Sequence, residues 1–199
     1  MSVLVTKEAP PFTATAVMPD DTLQEDFSLA DLRGRYVALV FYPVDFSFVC
    51  PTEMLALDHR IEQFHERDCE IVGISVDSHH THRAWRRTPL DQGGIGPIRF
   101  PLVSDLTKQI ARDYGVLVGD AVALRATFLI DREGVVRHQV VNDPDLGRNV
   151  EDTLRTLDAL RHIETNGRMC PANWEEGRET IEPTPAGVTR YLKDFGLSL

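Results

Sequence analysis

A chain of 199 residues with a hydrophobic share of 42% fits one domain with an extension, or at most two small domains, and can bury a real core. Its formal net charge of −10 argues against nucleic-acid backbone binding as the main work, and no apolar run is long enough to make it a membrane protein. Three cysteines are too few for a stapled framework, and MSVLVTKEAPPF lacks the charged and apolar regions of a secretion signal, so a cytoplasmic, reducing setting is expected.

APPF (9–12) and MPD (18–20) bracket a short strand, Phe12 to Val17. Arg35 to Tyr42 contains YVALVFY, a continuous apolar and β-branched run that suits a strand buried on both faces. After Cys50, Pro51 stands well at a helix start, where its missing N–H costs no hydrogen bond. Met54, Leu57, Ile61 and Phe64 then recur at helical spacing, with His59, Arg60 and Glu62 facing out. Cys69 to Val76 reads as a second buried strand. Thr81 to Arg87 reads as a short helix stopped by Pro89, followed by the loop GGIGP (93–97) and a strand over Phe100 to Val103.

Leu106 to Tyr114 is expected to be helical, with Gly115 as its C-cap. Ala126–Ile130 and Val135–Val141 are strands of a hairpin turned by DREG. Val150, Leu154, Leu157, Leu160 and Ile163 line one face of a helix that ends near Gly167, and the Pro-rich remainder reads as an arm rather than a core. Alternating strands and helices followed by a hairpin indicate an α/β or α+β sheet protein.

FYPVDFSFVCPTEM (41–54) puts Cys50 between a buried strand and a helix N-terminus. The partial positive charge there favours thiolate over thiol, and a nearby arginine would favour it further. Pro43 and Phe46 would screen the position from water, and the Ser47 hydroxyl can both accept from and donate to a small polar substrate. Lone cysteines are more often buried and inert, so on the residues alone an inert thiol and a nucleophile both fit.

The same segment closely resembles the active-site segment of the typical two-cysteine peroxiredoxins, the group that includes the alkyl hydroperoxide reductase peroxidase subunit. Pro-x-x-x-Thr/Ser-x-x-Cys falls on Pro43, Ser47 and Cys50. The resemblance runs on through SVDS (75–78), HRAW (82–85), GGIGP, FPLVSD (100–105), YGVL (114–117), RATFLID (125–131), VND (141–143), GR (147–148) and GRMCPANW (167–174). It implies a thioredoxin-like fold, a mixed central sheet flanked by helices, with residues 1–165 as the peroxidase domain and 166–199 as a C-terminal arm.

The resemblance also implies roles. Cys50 matches the peroxidatic cysteine, Pro43 the shielding proline, Ser47 the hydroxyl contact and Arg125 the arginine facing the thiolate. Glu53 and Arg148 match a supporting acid–arginine pair, and Cys170, followed by Pro171, matches the resolving cysteine supplied by the partner subunit. Hydrogen peroxide and alkyl hydroperoxides are the implied substrates, with thioredoxin or a flavoprotein disulfide reductase as electron donor. A homodimer, assembled as a decamer of five dimers, is the implied state, and no metal or organic cofactor is needed. Ser47 replaces the commoner threonine, and Tyr191-Leu192 stands where the more oxidation-sensitive members carry Tyr-Phe. Phe195 is expected to restore part of that packing.

Other features carry less. SHHTH (78–82) brings His79, His80 and His82 close, but the reading preferred over a metal site is a polar loop leading into a helix. GGIGP lacks the context of a phosphate cradle, and in the family it packs against the C-terminal arm. Cys69 is expected to be buried and inert, and Trp85 and Trp174 to be core or subunit-contact residues. A holdase or ring-forming structural protein is the competing function, while a thioredoxin-type oxidoreductase would need a C-x-x-C that the chain lacks.

Overall fold

The structure, a computed structural model, describes residues 3–197. The chain divides into two compact units, one up to Val150 and one from Glu151 onward. The first contains β1 (Thr13–Val17), β2 (Leu23–Ser28), β3 (Tyr36–Phe41), α1 (Cys50–His59), α2 (Ile61–His65), β4 (Cys69–Ser75) and α3 (His79–Arg87). It continues with β5 (Leu102–Ser104), α4 (Gln109–Asp113), the short pair β6 (Leu117–Val118) and β7 (Val122–Ala123), and then β8 (Arg125–Ile130) and β9 (Val136–Asn142). At the junction begins α5 (Val150–Asn166), and the second unit ends with α6 (Pro185–Phe195).

Among the described residues, seven strands form one mixed sheet in the order β2-β1-β5-β4-β3-β8-β9. β3 pairs in parallel with β4 and antiparallel with β8. All residues of β3 and of β8 are buried, which is why YVALVFY shows no polar alternation. α2 packs on β4, and α3 on β1 and β5. Phe41, Tyr114 and Phe128 form the aromatic centre of the core, with ring centroids 5.0–5.8 Å apart. The pairing Phe41↔Ala126 matters most for the site. It sets the exit of β3, which leads to Cys50, beside the entry of β8, where Arg125 stands.

Several expected elements differ in extent. The helix expected from Met54 through Phe64 is two helices, broken at Arg60 with φ −105° and ψ 3°. All four apolar positions are nevertheless buried, so the spacing reports burial across the break. α3 begins at His79 rather than Thr81, because the Ser78 hydroxyl accepts from the Thr81 N–H at 3.2 Å and caps the helix two residues earlier. The strand expected at Phe100 begins at Leu102, past Pro101, which has no N–H for a ladder.

The helix expected from Leu106 shortens to α4. Lys108 is left-handed (φ 62°), and the Asp105 carboxylate accepts from the N–H groups of Ile110 and Ala111. Its end is as expected: Gly115 (φ 69°) donates to Arg112, and Val116 donates to Ala111, the paired bonds of a Schellman stop. β2 has no apolar run to announce it. LQEDFS exposes its acids at the sheet edge, where charge is tolerated.

In the second unit, Leu154 and Leu157 are buried as expected, while Ile163 is 43% exposed. Trp174 stacks on His162, and Tyr191 on Phe195 at 5.1 Å. No helix among the described residues is long and apolar enough to cross a membrane.

Candidate active site

Cys50 opens α1 with Pro51 in the first turn, and Val49 caps it without a side-chain bond. Pro51 brings no N–H, and the Thr52 and Glu53 N–H groups donate to the Val49 carbonyl at 3.0 and 3.3 Å, so what the helix start offers the thiol is the partial positive charge of its dipole. Arg125 donates through Nη1 to Cys50 Sγ at 3.2 Å and to Glu53 Oε2 at 2.8 Å. Its Nε donates to the Pro144 carbonyl at 2.5 Å. Arg148 grips Glu53 with its backbone N–H at 2.8 Å, Nε at 2.9 Å and Nη2 at 2.8 Å, while Nη1 reaches the Ala126 carbonyl and Thr127 Oγ1.

Cys50, Glu53 and Arg125 are all at most 4% exposed. The two guanidiniums against one carboxylate leave positive charge directed at the sulfur. Burial opposes ionisation of Glu53, but the Arg148 bonds and charge, then Arg125, outweigh it and hold its pKa below the usual glutamate value. Burial likewise opposes charge on Arg125, and the neighbouring Cys50 and Glu53 overcome it and raise its pKa.

The remaining expected residues lie as follows. Pro43 is buried on the approach loop. The Ser47 hydroxyl donates to the Val44 carbonyl at 3.0 Å, within the loop rather than to Cys50, which leaves its lone pairs for a substrate. Cys170 belongs to the second unit, where its thiol contacts the Ala159 carbonyl at 3.7 Å and burial pushes its pKa up. Cys69 is 1% exposed, and both tryptophans are buried.

The sequence reading missed the anchor of the approach loop. Asp45 accepts from the Tyr42 hydroxyl at 2.8 Å, and its other oxygen lies 2.8 Å from His82 Nδ1. His82 Nε2 meets the Val103 carbonyl at 3.2 Å; a carbonyl can only accept, so that nitrogen carries a hydrogen. Burial raises the Asp45 pKa. The Asp45 N–H also donates to Asp77 Oδ2 at 2.8 Å. One residue on, Phe46 sits at φ 53° and stacks on Trp85 with centroids 6.1 Å apart. His82 thus lies in the helix expected over Thr81–Arg87, but it is wholly buried rather than polar and exposed. Its spacing with Trp85 and Arg86, also buried, was the available signal.

Comparisons with known proteins identify the family. Residues 5–139 match the AhpC/TSA family, and residues 159–194, which include Cys170, match the C-terminal domain of 1-Cys peroxiredoxin. The chain is 48% identical over 198 residues to an alkyl hydroperoxide reductase C of Helicobacter pylori, covering 99% of this chain and 100% of that protein. It is 50% identical over 190 residues to the human mitochondrial thioredoxin-dependent peroxide reductase, covering 95% of this chain and 73% of that one. The reduced 2-Cys peroxiredoxin of Plasmodium vivax superposes with a TM-score of 0.95 at 49% identity, over 96% of this chain and 100% of that one. With its thioredoxin-like fold and a cysteine–arginine pair at a helix start, the chain belongs to the AhpC/TSA family of peroxiredoxins, which are thiol-dependent peroxidases.

Proposed function

We propose that Cys50 is the peroxidatic thiol and Cys170 of a partner subunit the resolving one, in a cycle that reduces hydrogen peroxide and alkyl hydroperoxides. The Cys50 thiolate attacks one peroxide oxygen and the O–O bond breaks. The sulfur loses two electrons and becomes a sulfenic acid; the other oxygen gains them and leaves as water or alcohol after taking a proton. The Cys170 thiol then attacks that sulfur, water departs and a disulfide forms. An external dithiol returns both sulfurs to thiols by exchange. The relatives' names support thioredoxin as that donor, and a flavoprotein disulfide reductase is the alternative.

The observation that carries this reading is the 3.2 Å bond from Arg125 Nη1 to Cys50 Sγ. A fixed donor at the sulfur can follow the negative charge onto the peroxide oxygens as the O–O bond lengthens. Ser47, with lone pairs unused by its bond to Val44, supplies a second contact, and buried Pro43 excludes water. Functionally, residues 1–165 act as the peroxidase domain and 166–199 as the arm that delivers Cys170. The working assembly is a homodimer, further joined as a decamer, in the reducing cytoplasm.

Replacing Cys50 by serine tests the assignment. Peroxide consumption with a thiol donor should fall to background in Cys50→Ser. In Cys170→Ser one rapid oxidation should survive, with turnover stalled until a small thiol is added. Near wild-type turnover in Cys50→Ser would overturn the mechanism.

A further inference from the structure

Arg125 is aimed by a second set of groups, contributed by the segment just after β9. In the β8–β9 ladder Arg125 lies directly opposite Asn142. The chain then turns sharply: the Leu146 N–H donates to the Asp143 carbonyl at 3.0 Å, and the Asp145 N–H to Asp143 Oδ1 at 3.1 Å. Asp at the first turn position and Pro at the second suit this β-turn. Pro144 presents its carbonyl to Arg125 Nε at 2.5 Å. The Asn142 side-chain amide donates to the Leu146 carbonyl at 3.1 Å and so ties the far end of the turn to the strand from which it springs. Gly147 follows beside Val49, where a Cβ would come within 3.3 Å of Val49 Cγ1, and Arg148 then grips Glu53. One loop therefore touches Arg125, the residue before Cys50 and the carboxylate behind it.

A guanidinium is planar, so holding Nε and Nη1 sets the orientation of the whole fork. Nη1 is shared between Cys50 and Glu53, and by itself it would let the plane rotate about that contact. The Pro144 carbonyl removes this freedom. That carbonyl is held in turn only as firmly as the turn that carries it, and the Asn142 amide is the side-chain bond closing the turn onto β9. We infer that Asn142 is a positioning residue for the peroxidase step, acting through the 143–146 turn and the Pro144 carbonyl to orient Arg125 toward the Cys50 sulfur. The inference rests on the reading of Arg125 as the donor to the reacting peroxide.

The test uses full-length protein carrying Cys170→Ser, so that oxidation stops at the sulfenic acid. Two second-order rate constants of Cys50 are measured for each variant, one with hydrogen peroxide and one with iodoacetamide. Alkylation needs an accessible thiolate but no O–O cleavage. Asn142→Ala should lower the peroxide rate about tenfold, the scale of a modest misalignment, with alkylation within about twofold of the parent. Asn142→Asp keeps the side-chain shape, lacks the N–H donor and should show the same split; it also carries the test if Asn142→Ala does not fold. An unchanged peroxide rate would overturn the inference. So would parallel changes in both rates, or faster alkylation, since these report loosening of the whole site. Arg125→Ala is measured alongside. If it slows peroxide but the Asn142 variants do not, only the positioning role fails; if it does not slow peroxide, the reading of Arg125 fails with it.

Discussion

Glu53 sits at the centre of the site's electrostatics. It is 4% exposed and bonded to two arginines that are themselves almost wholly buried, so removing its charge leaves two cations without their counter-ion in a poorly solvated place. Breaking a buried pair in this way costs about 3–5 kcal/mol, and Glu53→Gln, which still accepts a hydrogen bond, should lie near the lower end. The pH dependence has a definite sign. Because Arg148 and Arg125 together outweigh burial and lower the folded pKa of Glu53, its stabilisation is fully present above the unfolded value of about 4.3. It is lost as pH falls through the folded value. Urea midpoints of wild type and Glu53→Gln should therefore be furthest apart at neutral pH and converge on acidification below about pH 4.3. A gap that is unchanged down to acid unfolding would remove Glu53 from this role.

At the scale of elements, the approach to Cys50 is held by what lies behind it. The GGIGP loop folds back on the end of α3: the Gly94 N–H donates to the Pro89 carbonyl, the Ile95 N–H to the Trp85 carbonyl, and Trp85 Nε1 to the Gly93 carbonyl at 3.0 Å. Trp85 supports Phe46 and Tyr42 on the active-site side. A Cβ on Gly94 would fall 1.8 Å from the Thr88 carbonyl oxygen, a backbone atom that cannot rotate aside. Gly94→Ala is accordingly expected to destabilise by about 1–3 kcal/mol, as overpacking does, and to disturb the near-UV circular dichroism of Trp85. A wild-type melting temperature with an unaltered tryptophan signal would show that the loop yields easily. On α6, Leu192 is 51% exposed within the chain, so its replacement of an aromatic removes little burial from this chain alone. Phe195 packs against Tyr191 one turn away on the same helix, with ring centroids 5.1 Å apart.

For the whole molecule, the cycle requires two thiols of unlike character to meet. Burial raises the pKa of Cys170, a direction that suits the resolving role proposed for it, since a thiol reacts with peroxide more slowly than a thiolate. If the partner subunit supplies it, one equivalent of peroxide should convert the reduced protein to a covalent dimer on non-reducing electrophoresis. Light scattering of the reduced protein tests the proposed decamer, and a dimer mass would overturn it. Monomer-mass protein with both thiols consumed would indicate a bridge within one chain and would end the inter-subunit reading.

The sequence by itself determined the features that depend on near neighbours. A continuous apolar run became the central strand β3, a proline after Cys50 marked a helix start, and Gly115 ended a helix, because each acts through backbone sterics or burial within a few residues. Through resemblance it also identified Cys50, Arg125, Glu53 and Arg148, which the fold brings into one bonded cluster. Only the tertiary structure decided how that cluster is supported. Arg125 is 75 residues from Cys50, and Arg148 is 95 from Glu53; what joins them is the antiparallel register of β3 with β8, set by burial along whole strands. Helical spacing could mark His82 as buried, but neither its pairing with Asp45 nor the bond from Arg125 to the Pro144 carbonyl could be read from the sequence. A buried polar group is identified by the partner that satisfies it, and these partners come from distant elements or from the backbone, which carries no sequence signal.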